Sequence, residues 1–372
     1  MHTWIWQHPD WTAFSWHEAA VQPRLRAVRQ KQGELLGRAG VPGDGDQPEQ
    51  ELDTLLANIV SSSSIENETL DASSVRSSLA RRLGIAGKQY PVTARSEGLA
   101  RIMFDAIHHR SEPLSLARLC QWHEWLFPEP NTLLSPIHVG ALRGEAPMQV
   151  VSGRLDRPRV HFEAPSRDVL PALLDAFVEW FNGSAHDTTL DPLLRAAITH
   201  FWFVTLHPFD DGNGRLTRAL TDMALAQADE RSIRLYAMSV AILERRPGYY
   251  RVLEQSQRGT PDITAWVLWF LDTLEASLDA SIERIDRTLG KARFWQRFGD
   301  AGLLPEQIKV LNRLLDGGAR GFENGISASQ YQKVAKVSKA TATRHLSDLV
   351  ARGCLVKLPG GGRSTRYVVA LF

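Results

Sequence analysis

Hydrophobic positions recur every three or four residues along most of the chain, the interval that gives a helix one apolar face. From Glu18 to Leu36 it is carried by Val21, Leu25, Val28 and Leu35. Gly40 to Pro48, rich in Gly, Asp and Pro, breaks the pattern. A second helix is predicted from Glu49 to about Val60, running into Ser61-Ser62-Ser63-Ser64-Ile65-Glu66-Asn67, and others over Val75–Leu83, Gly98–His109 and Ser115–Leu126. The period changes at Met148: Val150 and Val151 face Val160 and Phe162 across Gly153–Pro158, which predicts a hairpin with a six-residue connection. Helix resumes from about Arg167 to Phe181. Pro192 opens the next one, as the first-position preference expects, and its residues Leu193, Leu194, Ala197, Ile198, Phe201, Val204 and Leu206 predict a central, buried element. Helices over Thr217–Ala228, Tyr249–Gln257 and Thr264–Ile285 follow, and Gly302 onward reads as a separate small domain.

Composition narrows this little. Hydrophobic residues make up 43% and charged residues 23%, with a net charge of +1, so the chain as a whole offers no electrostatic case for nucleic acid or an anionic membrane. Cys120 and Cys354 lie far apart and fit no metal-ligand spacing, which favours a reducing compartment. No basic start leads into an apolar run, and no apolar run approaches a bilayer span of about 20 residues. A cytoplasmic protein without membrane contact is expected.

The chemistry concentrates in His207-Pro208-Phe209-Asp210-Asp211-Gly212-Asn213-Gly214-Arg215-Leu216-Thr217-Arg218. Pro208 disfavours helix at the residue before it, so the buried helix stops at His207. Gly212 and Gly214 let the backbone turn tightly and approach a ligand. A helix then starts, and its unpaired amides and dipole favour phosphate. Arg215 and Arg218 share one face of that helix, and Asp211 is a hard oxygen ligand suited to Mg²⁺. A base, a metal ligand, an amide cradle and two guanidiniums form the kit for phosphoryl-type transfer. The alternative is a helix–turn–helix corner with a structural histidine and surface arginines.

These residues resemble the signature of the Fic family, His-Pro-Phe-x-(Asp/Glu)-Gly-Asn-Gly-Arg-x-x-Arg, and meet every fixed position. With the surrounding helices the resemblance covers roughly residues 50 to 285. It implies a mainly α fold, a Fic/Doc-type helical core with a short β-hairpin flap, and transfer of AMP from ATP to a Ser, Thr or Tyr hydroxyl of a target protein or of the chain itself. Removal of AMP, and transfer of another phosphate-containing group, stay open. The roles implied are general base for His207, Mg²⁺ ligand for Asp211, backbone phosphate contacts for Gly212, Asn213 and Gly214, β-phosphate contact for Arg215 and γ-phosphate contact for Arg218. Tyr249, Tyr250 and Gln257 resemble the adenosine-side contacts, with core packing the alternative for the tyrosine pair. The hairpin, through Val150, Val151, Arg159, Val160 and His161, resembles the flap that registers a target segment by strand addition.

Beside that signature, Ser62-x-x-x-Glu66-Asn67 resembles the family's inhibitory motif, with Ser62 and Glu66 expected on one helical face and Glu66 expected to pair with Arg218 in place of the γ-phosphate. The first 16 residues carry Trp4, Trp6, Trp11 and Trp16, a strip expected to pack on the body; this end looks like the amino-terminal domain attached to many bacterial Fic proteins. At the other end, helices over Pro305–Leu315, Ser327–Lys336 and Ser338–Arg352, then strands at Cys354–Lys357 and Tyr367–Val369 joined across Gly360–Gly362, have the order of a winged helix. Between Ile326 and Phe372 stand eight Lys/Arg and one acidic residue, Asp348. Lys339, Thr341, Thr343, Arg344, Arg363 and Arg366 are candidates for DNA contact, with protein binding or dimerisation as the competing use. The expected domains are 1–48, 49–110, 111–285 and 286–372. The partners are a hydroxyl-bearing protein, DNA and a second copy in a homodimer. A DNA-binding regulator that uses the core as a nucleotide sensor is the alternative function.

Overall fold

A computed structural model describes residues 4–39, 47–86, 90–129, 137–154, 157–229, 235–317, 322, 324–359 and 365–370, apart from the side chains at 39, 47, 153–154 and 157–158. Most of the expected break after residue 39, the hairpin tip at 155–156, Gly360–Gly362 and Arg363 lie outside the described residues. The chain divides into two compact units, 1–280 and 281–372.

The first unit holds a 3₁₀ turn, Ile5–Gln7, and helices α1 (Glu18–Ala39), α2 (Gln47–Ile65), α3 (Ala72–Arg82), α4 (Ala94–His108) and α5 (Leu116–Leu126). The hairpin β1 (Gln149–Arg154) and β2 (Arg157–Glu163) follows, then α6 (Leu170–Ser184), α7 (Pro192–Leu206), α8 (Asn213–Ala228), α9 (Met238–Glu244), α10 (Arg246–Ser256) and α11 (Thr264–Phe298), whose later half belongs to the second unit. The mainly helical class expected from the sequence is the class observed.

α7 forms where expected because Asp191 caps it, accepting from the Leu193 amide at 2.8 Å, and Pro192 presets its first turn. Every residue from Leu193 to Leu206 is buried, and each large apolar side chain so removed from water contributes about 1.5–3 kcal/mol. It packs along α8. Several boundaries differ from the sequence reading. α2 runs through the serines to Ile65, with Ser64 Oγ donating to the Val60 carbonyl one turn back. Pro48 belongs to the first turn of α2. α8 begins at Asn213, four residues before Thr217, because Gly212 reverses the chain at φ +82°. α9 was missed altogether. In the hairpin, pairing continues to Arg154↔Arg157, so the connection is shorter than six residues; an irregularity falls between Val150 and Val151.

The second unit contains α12 (Pro305–Asp316), α13 (Ala328–Ala335), α14 (Lys339–Ala351) and the strands β3 (Leu355–Lys357) and β4 (Tyr367–Val369), which pair antiparallel. Ile326 bridges to Tyr367. Phe294, Phe298, Val310, Leu311, Tyr331, Leu346 and Leu349 make its core. Lys339, Thr343 and Arg344 are exposed and Thr341 is half-buried. Arg366 is engaged rather than free in a wing: its Nη1 donates to Gln330 Oε1 at 2.6 Å. Among the described residues no helix is long and apolar enough to cross a membrane.

Candidate active site

His207 ends α7 in the left-handed region, φ +47°, and the proline after it disfavours any continuation of the right-handed helix at this position. Its Nδ1 lies 2.6 Å from the Val204 carbonyl. A carbonyl only accepts, so Nδ1 carries the proton and Nε2 is left as the basic nitrogen. Burial pulls the imidazole below its ordinary value; the Val204 bond, Glu66 and Asp211 oppose this, and Arg143 adds to it. The ring is therefore neutral near pH 7. Arg143, buried, fixes the turn from behind: its Nε donates to the His207 carbonyl at 2.8 Å and its backbone amide to that of Pro208 at 3.0 Å.

Asn213 clamps the loop by accepting from the Phe209 amide at 2.9 Å and donating to the Phe209 carbonyl at 2.7 Å. His123 stacks on Phe209 and lies 3.2 Å from the Asp211 carbonyl. Asp210 is bound by the amide and ring of His138 at 2.8 Å, so it is structural. Gly212 provides no side-chain cap, which leaves the first-turn amides of α8 for an anion. Around them, Met148, His207, Asp211, Gly212, Gly214 and Arg215 line a cavity of about 110 Å³. Asp211, 57% exposed, stands at its lip with Oδ1 3.3 Å from Arg215 Nη2.

The end of α2 meets this helix start. Glu66 is the last residue before the chain turns, not a residue within the helix as the spacing suggested. The Asn67 amide bonds to the Ser64 carbonyl and the Glu68 amide to the Ser63 carbonyl, both at 3.0 Å, with Asn67 at φ +60°. This is a Schellman cap, and it explains why glycine or asparagine suits that position. Arg218 Nε donates to Ser62 Oγ at 2.8 Å, and Nη2 donates to the Ser62 carbonyl at 2.9 Å and Glu66 Oε1 at 2.7 Å. Burial pushes the Glu66 carboxyl up, but Arg218, with Arg215 and His207 behind it, holds it below the usual carboxylate range. Glu66 Oε1 also sits against Gly214 where a Cβ would be. α2 is held in place by Asn58, which bonds to Asp222 on α8 and accepts from the Ser239 amide at 2.9 Å.

The sequence reading missed Glu68. Its carboxylate accepts from Arg215 Nη1 at 2.7 Å and from Arg95 Nε at 2.7 Å. Both guanidiniums approach the Phe127 ring, at 5.5 and 5.1 Å from its centre. A second carboxylate two residues after the first was a weak signal, since any charged turn offers one. Arg218 Nη1 and Arg215 Nε are buried without a hydrogen-bond partner among the described residues. Spare donors on both arginines, beside uncapped amides, fit a polyphosphate. Asp211 fits Mg²⁺, a hard cation that keeps most of its water and takes one or two carboxylates. A second donor group, Asp105, His109 and Glu112, is accounted for by packing: Asp105 Oδ2 already accepts from Arg118 and Trp122.

A larger cavity of about 780 Å³ opens from His207 and Gly214, past Glu66 and Asn67, to the hairpin residues Val150, Val151, Arg159 and His161 and to α10. Tyr249, Tyr250 and Gln257 line it too, unequally. Tyr250 is 39% exposed, with its hydroxyl 3.3 Å from the Ile65 carbonyl. Tyr249 and Gln257 are buried. The Tyr249 hydroxyl is 2.9 Å from His200 Nε2, and Gln257 Nε2 donates to Thr205 Oγ1 at 3.1 Å. Their polar ends thus serve the core. On the hairpin, Arg159 and His161 pair with Glu254 of α10 at 3.2 and 2.8 Å. Val160 turns toward the aromatic cluster beneath the hairpin.

Two family models match the chain: a domain of unknown function (DUF4172) over residues 4–85 and Fic/DOC family over residues 113–225. Protein adenylyltransferase Fic of Drosophila melanogaster is 28% identical over 224 residues, 60% of this chain and 41% of that protein. Protein adenylyltransferase fic-1 of Caenorhabditis elegans is 25% identical over 254 residues, 67% of this chain and 45% of that protein. The chain thus spans less than half the length of these curated relatives. Among solved structures, a Fic family protein from Desulfovibrio desulfuricans aligns with a TM-score of 0.50 at 21% identity, covering 93% of this chain and 96% of that one. A fragment of Fic-1 from Caenorhabditis elegans aligns at 0.52 and 20% identity, covering 74% of each. These likenesses speak for the fold. The Fic/DOC match over residues 113–225 contains the unbroken signature at His207–Arg218, and this chain therefore carries a domain of the Fic/DOC family.

Proposed function

We propose that the chain is an autoinhibited protein adenylyltransferase. A target hydroxyl loses its proton to His207 Nε2 while its oxygen bonds to the α-phosphorus of ATP; the bond to the β-phosphate oxygen breaks and pyrophosphate leaves. Such a base contributes about 10² to 10⁴ in rate. The first-turn amides of α8 and the two arginines would hold the phosphates. Asp211 would hold Mg²⁺, which neutralises phosphate charge when bound. The names of the curated relatives support AMP as the group transferred and a protein as acceptor. One observation carries the inhibited state: the Glu66 carboxylate lies 2.7 Å from Arg218 and against Gly214, where a γ-phosphate would need to be.

The test is intact mass after incubating Glu66→Gly protein with ATP and Mg²⁺. An AMP adduct on that variant, absent when His207→Ala is added, is the expected result. A well-folded Glu66→Gly protein that gains no adduct and labels no acceptor overturns the reading.

For residues 281–372 the reading is a winged helix that contacts DNA, supported by the exposed Lys339, Thr343 and Arg344 on α14. Binding to random duplex should fall steeply between low and moderate salt. No shift at low salt would favour protein binding or dimerisation instead.

A further inference from the structure

An isolated two-stranded hairpin is marginal in water at best, so β1–β2 needs a support to hold a fixed height above His207. The support comes from the far N-terminus. Trp4 is buried edge-on against Phe162 of β2, ring centres 5.4 Å apart, in a cluster with Ala164 that also takes in Trp6, Met148, Val150 and Val160. Trp6 Nε1 donates to the Glu163 carbonyl, the last residue of β2, at 2.7 Å. The same segment holds the C-terminal end of α10: the Ile5 amide donates to the Gln257 carbonyl at 2.9 Å, and the Arg258 guanidinium lies 4.9 Å over the Trp4 ring. Arg258 Nη2 in turn donates to the His161 carbonyl at 3.4 Å. The 3₁₀ turn Ile5–Gln7 is closed locally, the Trp4 amide donating to Gln7 Oε1 at 3.1 Å, so the strap presents both indoles from a short, fixed piece of backbone.

We propose that the Trp4–Trp6 strap is part of the acceptor site, setting the register and height of the flap relative to α10, with Trp4 and Trp6 as positioning residues. Ring contacts and the indole N–H act on β2, whereas the phosphate cradle at α8 is built without them. Losing the strap should therefore weaken acceptor docking and leave ATP binding alone. This rests on the flap being where the acceptor docks, which belongs to the function proposed above.

The experiment uses full-length Glu66→Gly protein as background, with Trp4→Ala, Trp4→Phe and Trp6→Phe added singly. Three quantities are read: hydrogen exchange of residues 149–163, ATP affinity by calorimetry, and labelling rate against the concentration of denatured β-casein as a source of extended Ser, Thr and Tyr hydroxyls. Trp6→Phe keeps a ring and loses one donor, so flap exchange and acceptor KM should each rise about fivefold, the worth of one neutral hydrogen bond. Trp4→Ala should do more and Trp4→Phe less, with ATP affinity and kcat close to the background in all three. Unchanged flap exchange in folded Trp4→Ala or Trp6→Phe protein overturns the proposal, as does an equal loss of ATP affinity. If Trp4→Ala does not fold, Trp6→Phe and Trp4→Phe decide. If the background labels nothing, the transferase reading fails, while the exchange and affinity arms still decide whether the strap holds the flap.

Discussion

Glu66 accepts from Arg218 Nη2 at 2.7 Å while its oxygen rests against the backbone of Gly214, the second residue of α8. The carboxylate thereby meets two features that would serve a phosphate, a buried guanidinium and the open end of a helix. Opposed dipoles favour the arrangement, since the C-terminal end of α2 faces the N-terminal end of α8. An anion supplied by the chain and an anion supplied by a nucleotide compete for one place.

Replacing Glu66 by Gly should raise self-labelling roughly 10²-fold. Arg218 is buried but Glu66 is 31% exposed, so the pair falls at the low end of the range for buried pairs, about 3 kcal/mol, and that much bias on the nucleotide pose gives the factor. Initial rates of labelling with fluorescent ATP measure it.

Glu68→Gln should tighten ATP binding about fivefold, a gain of about 1 kcal/mol, because it leaves Arg95 and Arg215 without their shared carboxylate and their charge turned to the triphosphate. The same change should lower the melting temperature, as Arg95 and Arg215 then stand near each other with no carboxylate between them. Calorimetry and thermal unfolding test the two halves separately.

Asn67→Gly should keep the brake, whereas Asn67→Val should release it in part, by up to about tenfold, since a β-branched residue in the left-handed region costs roughly 1–2 kcal/mol. Basal labelling of the two variants, compared with the parent, is the measurement. A valine variant as quiet as the parent would mean the cap does not hold Glu66.

The acidic limb of labelling by the Glu66→Gly protein should have its midpoint below pH 6.5, the ordinary imidazole value. Burial lowers His207, and Glu66, which raises it, is gone in this variant. For stability the sign is the same: the unfolded imidazole binds its proton more readily, so the contribution of His207 is present above the unfolded value and lost as pH falls through the folded one. A pH profile of initial rates between 5 and 8 reads the first effect.

How far the sequence reached depends on the range of each interaction. The order His207-Pro208, Gly212, Asn213-Gly214 fixes its own backbone through neighbours within a turn, so the loop and the helix behind it were legible. The periodic apolar residues of α7 announced a central helix for the same local reason. Glu68 was not legible, because its partners Arg95 and Arg215 stand 27 and 147 residues away. Nor was the support of His207 by Arg143, which no spacing marks. Tyr249 and Tyr250 are adjacent in sequence and alike in chemistry, yet one hydroxyl meets His200 and the other the end of α2.

By itself the sequence determined the helical class and the His207–Arg218 loop with its histidine and arginines, products of short-range sterics and hydrogen bonding. Only the tertiary structure decided that α2 ends against the start of α8, and that Trp4 and Trp6 lie under the hairpin. Those outcomes follow from the burial of apolar faces by elements far apart along the chain, a force without direction that no local pattern encodes.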